Sequence, residues 1–350
     1  MTDFHMSEGP GFSLWAAATL AWTDAQVTLH GANIQAAQAL NIRTESLSSA
    51  QNQAIGILAA ATAALSNATA TTHIGTDTTL TSAGSLSVSS KVTSQAVTTA
   101  MGATAGSKGF TAAALVGNAH AQTTIDAGAT LDGGVTNVAA DAVGAYVTES
   151  STMPDAGGKQ VAMTGAMTVN YNDTSARCDV AGIVRGTAGA TISSTAITGE
   201  SKSKAAGPSF NGDHGFPLIE GFFGQIKRWL TGKQPGSIGP DGKALFVNGS
   251  AAVNILISKT TAESVLKANA QLESSQGPAS LTAVTYNPSA GFATGSAGAG
   301  ELSIGGALNY VDVTTTVRSL VENYAKIDAA SGVTVLAQTA SSTDVRFASW

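Results

Sequence analysis

The side chains of this sequence best suited to chemistry are its five histidines, its single cysteine and a scatter of acids. His5, His30, His73, His120 and His214 have the chemistry to bind metal or relay protons, but no Cys/His pair falls at C-x-x-C or H-x-x-x-H spacing. They read as exposed polar residues. Cys178 has no partner for an internal disulfide, and its place two residues before a recurring aliphatic position is that of a structural thiol. Polysaccharide cleavage requires carboxylates gathered in one groove. Asp126 and Asp328 each follow a repeated aliphatic residue, which makes them turn residues. GSIGPDGKA (236–244) lacks the glycine spacing of a phosphate loop and has Ala244 where Ser or Thr would hold magnesium. No catalytic residue, metal or cofactor is expected.

Composition narrows the partners. Charged residues make up 11% of the chain and aromatics 5%, while 39 glycines accompany many alanines, so the core must be thin and the surface built of Ser, Thr, Asn and Gly. The formal net charge is −6 and no stretch concentrates basic residues, so nucleic acid is not an expected partner. The longest apolar run, Ala54 to Leu65, is too short for a bilayer span of about 20 residues, and acids stand where a signal peptide places lysine or arginine.

The elements that position these residues repeat. An Ala or Val followed four residues later by a branched aliphatic occurs at Ala25/Leu29, Ala70/Ile74, Ala121/Ile125, Ala176/Val180, Ala262/Leu266 and Val317/Val321. These six anchors, Leu29, Ile74, Ile125, Val180, Leu266 and Val321, recur at about 50 residues except across one insertion. A second aliphatic triplet follows the anchor: Ile34, Leu40, Ile42; Leu80, Leu86, Val88; Leu131, Val135, Val138; Ile327, Val333, Val335. Alternation at period two, as in Val333-Thr334-Val335, predicts half-buried strands, and clusters such as LDGGVTN (131–137) predict turns. Each copy is expected to hold four short strands. No copy can bury its aliphatic residues alone, so copies must stack. The predicted fold is all-β, a right-handed parallel β-solenoid, with two coils per copy and twelve coils in a rod roughly 60 Å long at about 4.8 Å per coil.

The stretch Gly165 to Val180 has the grammar G-A-x-x-V-N, a polar Thr patch, then Ala four residues before an aliphatic, and Gly249 to Leu266 and Gly306 to Val321 follow it loosely, with a glycine, an apolar run holding an Asn, a Thr patch, and Ala or Val four residues before an aliphatic. In this the chain resembles large repetitive bacterial surface proteins, the filamentous-haemagglutinin-like and β-strand-repeat adhesins. The resemblance implies a stalk or adhesive segment at the cell surface or outside the cell, with glycans, a host or neighbouring cell surface, or further repeats of one longer chain as partners. The close of the sequence at FASW (347–350) without a polar cap fits excision from such an array. A polysaccharide-cleaving enzyme on a β-helix scaffold is the alternative.

One segment departs from the repeat. Residues 200–243 carry six of the 17 basic residues, and Leu218, Ile219, Phe222, Phe223, Ile226, Trp229 and Leu230 recur at helical spacing. This predicts a short amphipathic helix whose apolar side, Phe222, Phe223, Ile226, Trp229 and Leu230, is a candidate docking surface for the solenoid; membrane contact is not expected from so few basic residues. The expected organisation is repeats 1–4 over 12–199, the insertion over 200–243, and repeats 5–6 over 244–350.

Overall fold

The computed structural model describes residues 2–7, 13–56, 59–103, 108–153, 161–207, 245–295 and 300–349. The predicted helix, with Phe222, Phe223, Ile226, Trp229 and Leu230, lies outside the described residues, as do His214 and the 236–244 loop. Everything regular among the described residues is β-strand. Sheet A contains β1 (Thr2–Ser7), β2 (Ser13–Leu29), β5 (Ala59–Ile74), β7 (Lys108–Ile125), β9 (Val161–Val180), β11 (Leu245–Leu266) and β14 (Gly300–Val321). Sheet B contains β3 (Asn33–Ala36), β4 (Ala39–Gly56), β6 (Thr79–Ala103), β8 (Thr130–Met153), β10 (Ile183–Ala206), β12 (Gln271–Ser274), β13 (Pro278–Gly295), β15 (Lys326–Ala329) and β16 (Gly332–Ser349). All pairings are parallel except that β1 runs back antiparallel along the first residues of β2.

The chain therefore alternates between two sheets, advancing by one strand in each at every circuit. Coil 1 is β2 to β4, coil 2 is β5 and β6, coil 3 is β7 and β8, coil 4 is β9 and β10, coil 5 is β11 to β13, and coil 6 is β14 to β16. The fold is solenoid-like. Each copy of about 50 residues is one coil with two long sides, not two coils of short strands. The stacked strands of sheet A have 16 to 22 residues. At about 3.3 Å per residue they run roughly 53–73 Å, whereas six coils at about 4.8 Å rise only some 24 Å between first and last. The body is a flat slab, wide across its axis. It has this form because the Ser/Thr/Ala stretches continue the strands, their side chains alternating inward and outward, and LDGGVTN (131–137), expected to turn, lies within β8.

The six anchors form one row: Leu29 pairs with Ile74, Ile74 with Ile125, Ile125 with Val180, Val180 with Leu266, and Leu266 with Val321. Ile74, Ile125, Val180 and Leu266 are fully buried, while Val321, on the last coil, is 39% exposed. Facing them in sheet B are Leu80, Leu131, Val184 and Leu272, and together they make the main aliphatic cluster. Position 86 stacks on Thr136, not on Val135, which points outward. The residue after an anchor donates its N–H to the anchor carbonyl of the preceding coil, as Asp126 does to Ile74 and Lys267 to Val180, so the ladder continues into the turn. In coils 2, 3, 5 and 6 the turn to sheet B then takes a left-handed residue three positions after the anchor, Asp77, Gly128, Asn269 and Tyr324, with φ of 57°, 83°, 62° and 59°; the shorter turn of coil 4 does without one.

Away from this corner the interior is small and polar. In one row Thr72, Thr123, Cys178, Ser264 and Ser319 of sheet A donate to the carbonyls of Ser89, Ala139, Ser193, Thr282 and Leu336 of sheet B, at 2.6–3.0 Å. In return Thr44, Ser90 and Ser194 of sheet B donate to the carbonyls of Thr71, Gln122 and Glu263, each one coil further along sheet A. The sheets are thus laced together in a zigzag along the axis. Farther along the strands, Asn172 donates to Ser201 at 2.8 Å, Ser258 donates to Asn172 at 2.7 Å, and Asn254 donates to Asn309 at 2.7 Å.

Tyr146 is the largest fully buried side chain. It fits because Gly117 and Gly144 leave room: a methyl group at Gly117 would fall inside its ring. Gly117→Ala is expected to lose about 1–3 kcal/mol by overpacking. In a Tyr146→Leu background the same change should cost under about 1 kcal/mol, which denaturant titration of the four variants would read as coupling. Cys178 takes a hydroxyl's place in the zigzag. Cys178→Ser should hold stability within about 1 kcal/mol, whereas Cys178→Ala should lose about 1–2 kcal/mol by leaving the Ser193 carbonyl without its donor.

Candidate functional site

The residues singled out for chemistry are distributed along the slab. His73 Nε2 lies 2.8 Å from an Asp126 carboxylate oxygen, and His120 Nδ1 lies 2.6 Å from Ser175 Oγ. The two histidines share neither a row nor a partner. His73 stacks between Thr28 and Thr124, while His120 stacks between Thr69 and Ser175, four positions away along the strand. Among the described residues no cluster of three or more His, Cys, Asp or Glu has metal-site geometry. Cys178 is fully buried, and that burial pushes its thiol up to about 12, well outside the range of a reactive thiolate.

Charges gather at the corner where sheet A turns into sheet B, on coils 4 to 6. Arg177 bridges Asp179 at 2.5 Å and Glu263 at 3.5 Å, and Glu263 also meets Arg318 at 3.6 Å. Lys267 reaches Asp179 and Glu322 at 3.4 and 3.3 Å. Around the corner Glu273 lies between Arg185 at 2.9 Å and Lys326 at 3.7 Å, and Lys326 also pairs with Asp328. Each cation bridges strands of different coils, or a neighbour two residues away, so the network stitches coils and does not converge on one point. Exposed pairs of this kind are worth little singly.

Beside that corner sheet B breaks in every coil: at the gaps between β3 and β4, β12 and β13, and β15 and β16, and at register shifts after Ser82 and Gly186. Across coils 1 to 4 the stacked breaks form an open depression of about 450 Å³ lined by Gln35, Thr81, Asp132 and Thr187 with small residues between them. Gln35, Thr81 and Asp132 on its wall begin an outward row that continues past it to Arg185, Glu273 and Asp328, a hydrogen-bonding side chain from every coil at strand spacing. This row is the candidate functional site. Sequence reasoning misses it because its members share no residue type, and the offset from the anchor that Thr81, Asp132, Glu273 and Asp328 have in common is not kept by Gln35 or Arg185.

The outer face of sheet A is divided. Near the turn it is polar. The other half carries the rows Ala16, Ala61, Ala112, Met167, Val253, Leu308 and Ala18, Ala63, Ala114, Val169, Ile255, Tyr310, flanked by Leu20, Leu65, Val116, Tyr171 and Ile257. Leu20, Leu308 and Tyr310 are 73%, 59% and 52% exposed.

No known protein-family model, no curated protein and no solved structure matches the chain. The likeness to adhesin-like repeat proteins rests on the repeat grammar.

On the outer face of sheet B, Asp141 is half-buried between Lys91 and Thr195, and desolvation raises its carboxyl above the ordinary value despite the Thr195 hydrogen bond and the Lys91 charge, which both act to lower it. A raised folded-state value means that the native chain holds this proton more tightly than the unfolded one, so the contribution to stability is present at low pH and lost as pH rises past the ordinary aspartate range. Asp141→Asn is expected to be more stable than the parent at pH 7. The difference should shrink as pH is lowered toward 4, in urea titrations of both proteins across that window.

Proposed function

We propose that the chain is a structural and adhesive segment of a bacterial surface or secreted repeat protein, a flat scaffold that presents rows of polar side chains to glycans or to a host or neighbouring cell surface. The observation that carries this reading is the row from Gln35 to Asp328: one polar group per coil, held in register along the axis beside an open depression. Such a row favours an extended, repetitive ligand touched weakly at many points, with strength arising from multivalency. A coil adds one more contact without disturbing the others, so array length tunes avidity. The repeat grammar shared with adhesin-like proteins supports the same reading. We further propose that the coils wind right-handed, since the path through sheet B is a crossover between parallel neighbours of sheet A, and strand twist gives such crossovers that hand.

Beads coated with the full chain should bind at least one of a panel of immobilised neutral polysaccharides and mucin glycans, about 100-fold more tightly than the free chain does. Asp132→Ala combined with Arg185→Ala should weaken bead binding tenfold or more with the circular dichroism unchanged. Failure of the coated beads to bind any surface of the panel, or release of reducing ends from those polysaccharides, would overturn the proposal.

A further inference from the structure

The apolar half of sheet A's outer face is unexplained by the polar row, which lies on the other sheet. About four side-chain rows by six strands give roughly 25 by 25 Å, on the order of 600 Å². This is at the upper end of the roughly 300–600 Å² of the largest apolar patch on a typical monomer, a size that often marks an interaction site. Runs such as AAVNILI (251–257), apolar or small at nearly every position, are typical of parallel strands covered on both faces. The face is flat, which suits another sheet better than a helix.

Its side chains are also graded along the axis. In the row Ala16, Ala61, Ala112, Met167, Val253, Leu308 the first three coils carry alanine and the last three carry large residues, and the adjacent row from Ala18 to Tyr310 repeats the gradient. We infer that this face pairs with the same face of a second copy of the chain, about a two-fold axis parallel to the strands between coils 3 and 4. That axis lays Leu308 of one copy over Ala16 of the other and Met167 over Ala112, so large residues meet small ones in both graded rows, while Leu65 meets Ile257 and Val116 meets Tyr171 along the flanking row. A two-fold axis along the stack would set alanine against alanine and large against large, leaving a wedge-shaped gap. The two faces together bury on the order of 1,200 Å², the lower end of a stable protein interface. Asp312 falls at the corner nearest the polar half, in the solvated rim. A bilayer is the poorer occupant, because the formal net charge is −6 and Asp173 and Asp312 flank the patch.

The test is sedimentation velocity on the full chain. A dimer is expected at micromolar concentration, and Ile255→Lys should give a monomer with the same circular dichroism. For the sense of pairing, oxidised Ala18→Cys/Tyr310→Cys should form a covalent dimer, while Ala18→Cys alone should not; coils 1 and 6 are about 24 Å apart, too far for a bond within one copy, and Cys178 is buried. A full chain that stays monomeric would overturn the inference. Two further results would do the same and name the true occupant: dimerisation only after residues 208–244 are replaced by a four-residue linker, which assigns the face to the chain's own segment, and flotation of the monomer with phosphatidylcholine/phosphatidylglycerol vesicles, which assigns it to lipid. Cross-linking of Ala18→Cys alone would overturn the orientation.

Discussion

Hydroxyl groups that donate from one sheet to the backbone of the other are the constraint on which this slab depends. Strands this long cannot be held face to face by aliphatic packing when the chain has so few large side chains; the main aliphatic cluster occupies only the end near the turn. Over the rest of the width, Ala, Ser, Thr and Asn let the sheets approach until a short side chain spans the gap. At that distance a Ser or Thr oxygen reaches a main-chain carbonyl opposite, as at Ser90 to Gln122 and Thr123 to Ala139, both 2.6 Å. A buried hydroxyl left unpaired would cost more than it contributes, so spacing and hydrogen bonding determine one another. The zigzag also fixes height. In the row from Thr72 to Ser319 the sheet A donors bond within their own coil, whereas Thr44, Ser90 and Ser194 of sheet B bond to the next, so a slip of one coil in either sheet would break these links.

That constraint sets the shape of the outer surfaces. Two long strands per coil give two broad faces in place of the three narrow ones of a compact coil, and each row on a face crosses all six coils. Rows of one character accumulate into surfaces: the hydrogen-bonding row beside the depression on one sheet, the apolar half on the other. Neither surface comes from a loop. The machinery for recognition is the scaffold itself, so any contact it makes is repeated at the spacing of the strands.

The stacking register was open to sequence reading and the width of the coil was not. Anchors such as Ile74 and Leu266 stand out because they are the large aliphatics of a small-residue chain, and they are large because the turn end of the core is the widest. Strands built mostly of small and polar residues, such as 89–100, carry little contrast between their inner and outer faces, because the inner face is itself small and polar; their length does not show in sequence, and a copy of about 50 residues reads as two coils of ordinary size. Degenerate rows also hid local offsets. Val135 looks like the partner of Leu86, but a shift in register brings Thr136 there. The shared Val-Asn pair suggests that Asn170 stacks on Asn254, whereas Thr168 does, two residues away on the same face. His73 and His120 lie four positions apart, because the aligned residues are Ala70 and Ala121. The polar row and the apolar half of sheet A require the register itself, which only the paired strands supply.

Rows, not residues, are therefore the units in which this chain tolerates change. Cys178 can replace a hydroxyl because the thiol still donates, at 3.0 Å, to the carbonyl that its row serves. Tyr146 occupies an interior row otherwise built of Ala, Ser and Thr, and the room comes from a neighbour on its own strand, Gly144, and from Gly117 on the facing sheet. Tyr324 holds the left-handed turn position that Asp77, Gly128 and Asn269 fill elsewhere, and it is 89% exposed, so its ring meets no competing contact. In each case the substitution keeps what the row demands, a donor, a volume or a backbone angle, and abandons residue identity. A solenoid laced by hydrogen bonds to its main chain can hold its geometry while its side chains diverge, and a sequence under that rule keeps a strong period with a weak motif.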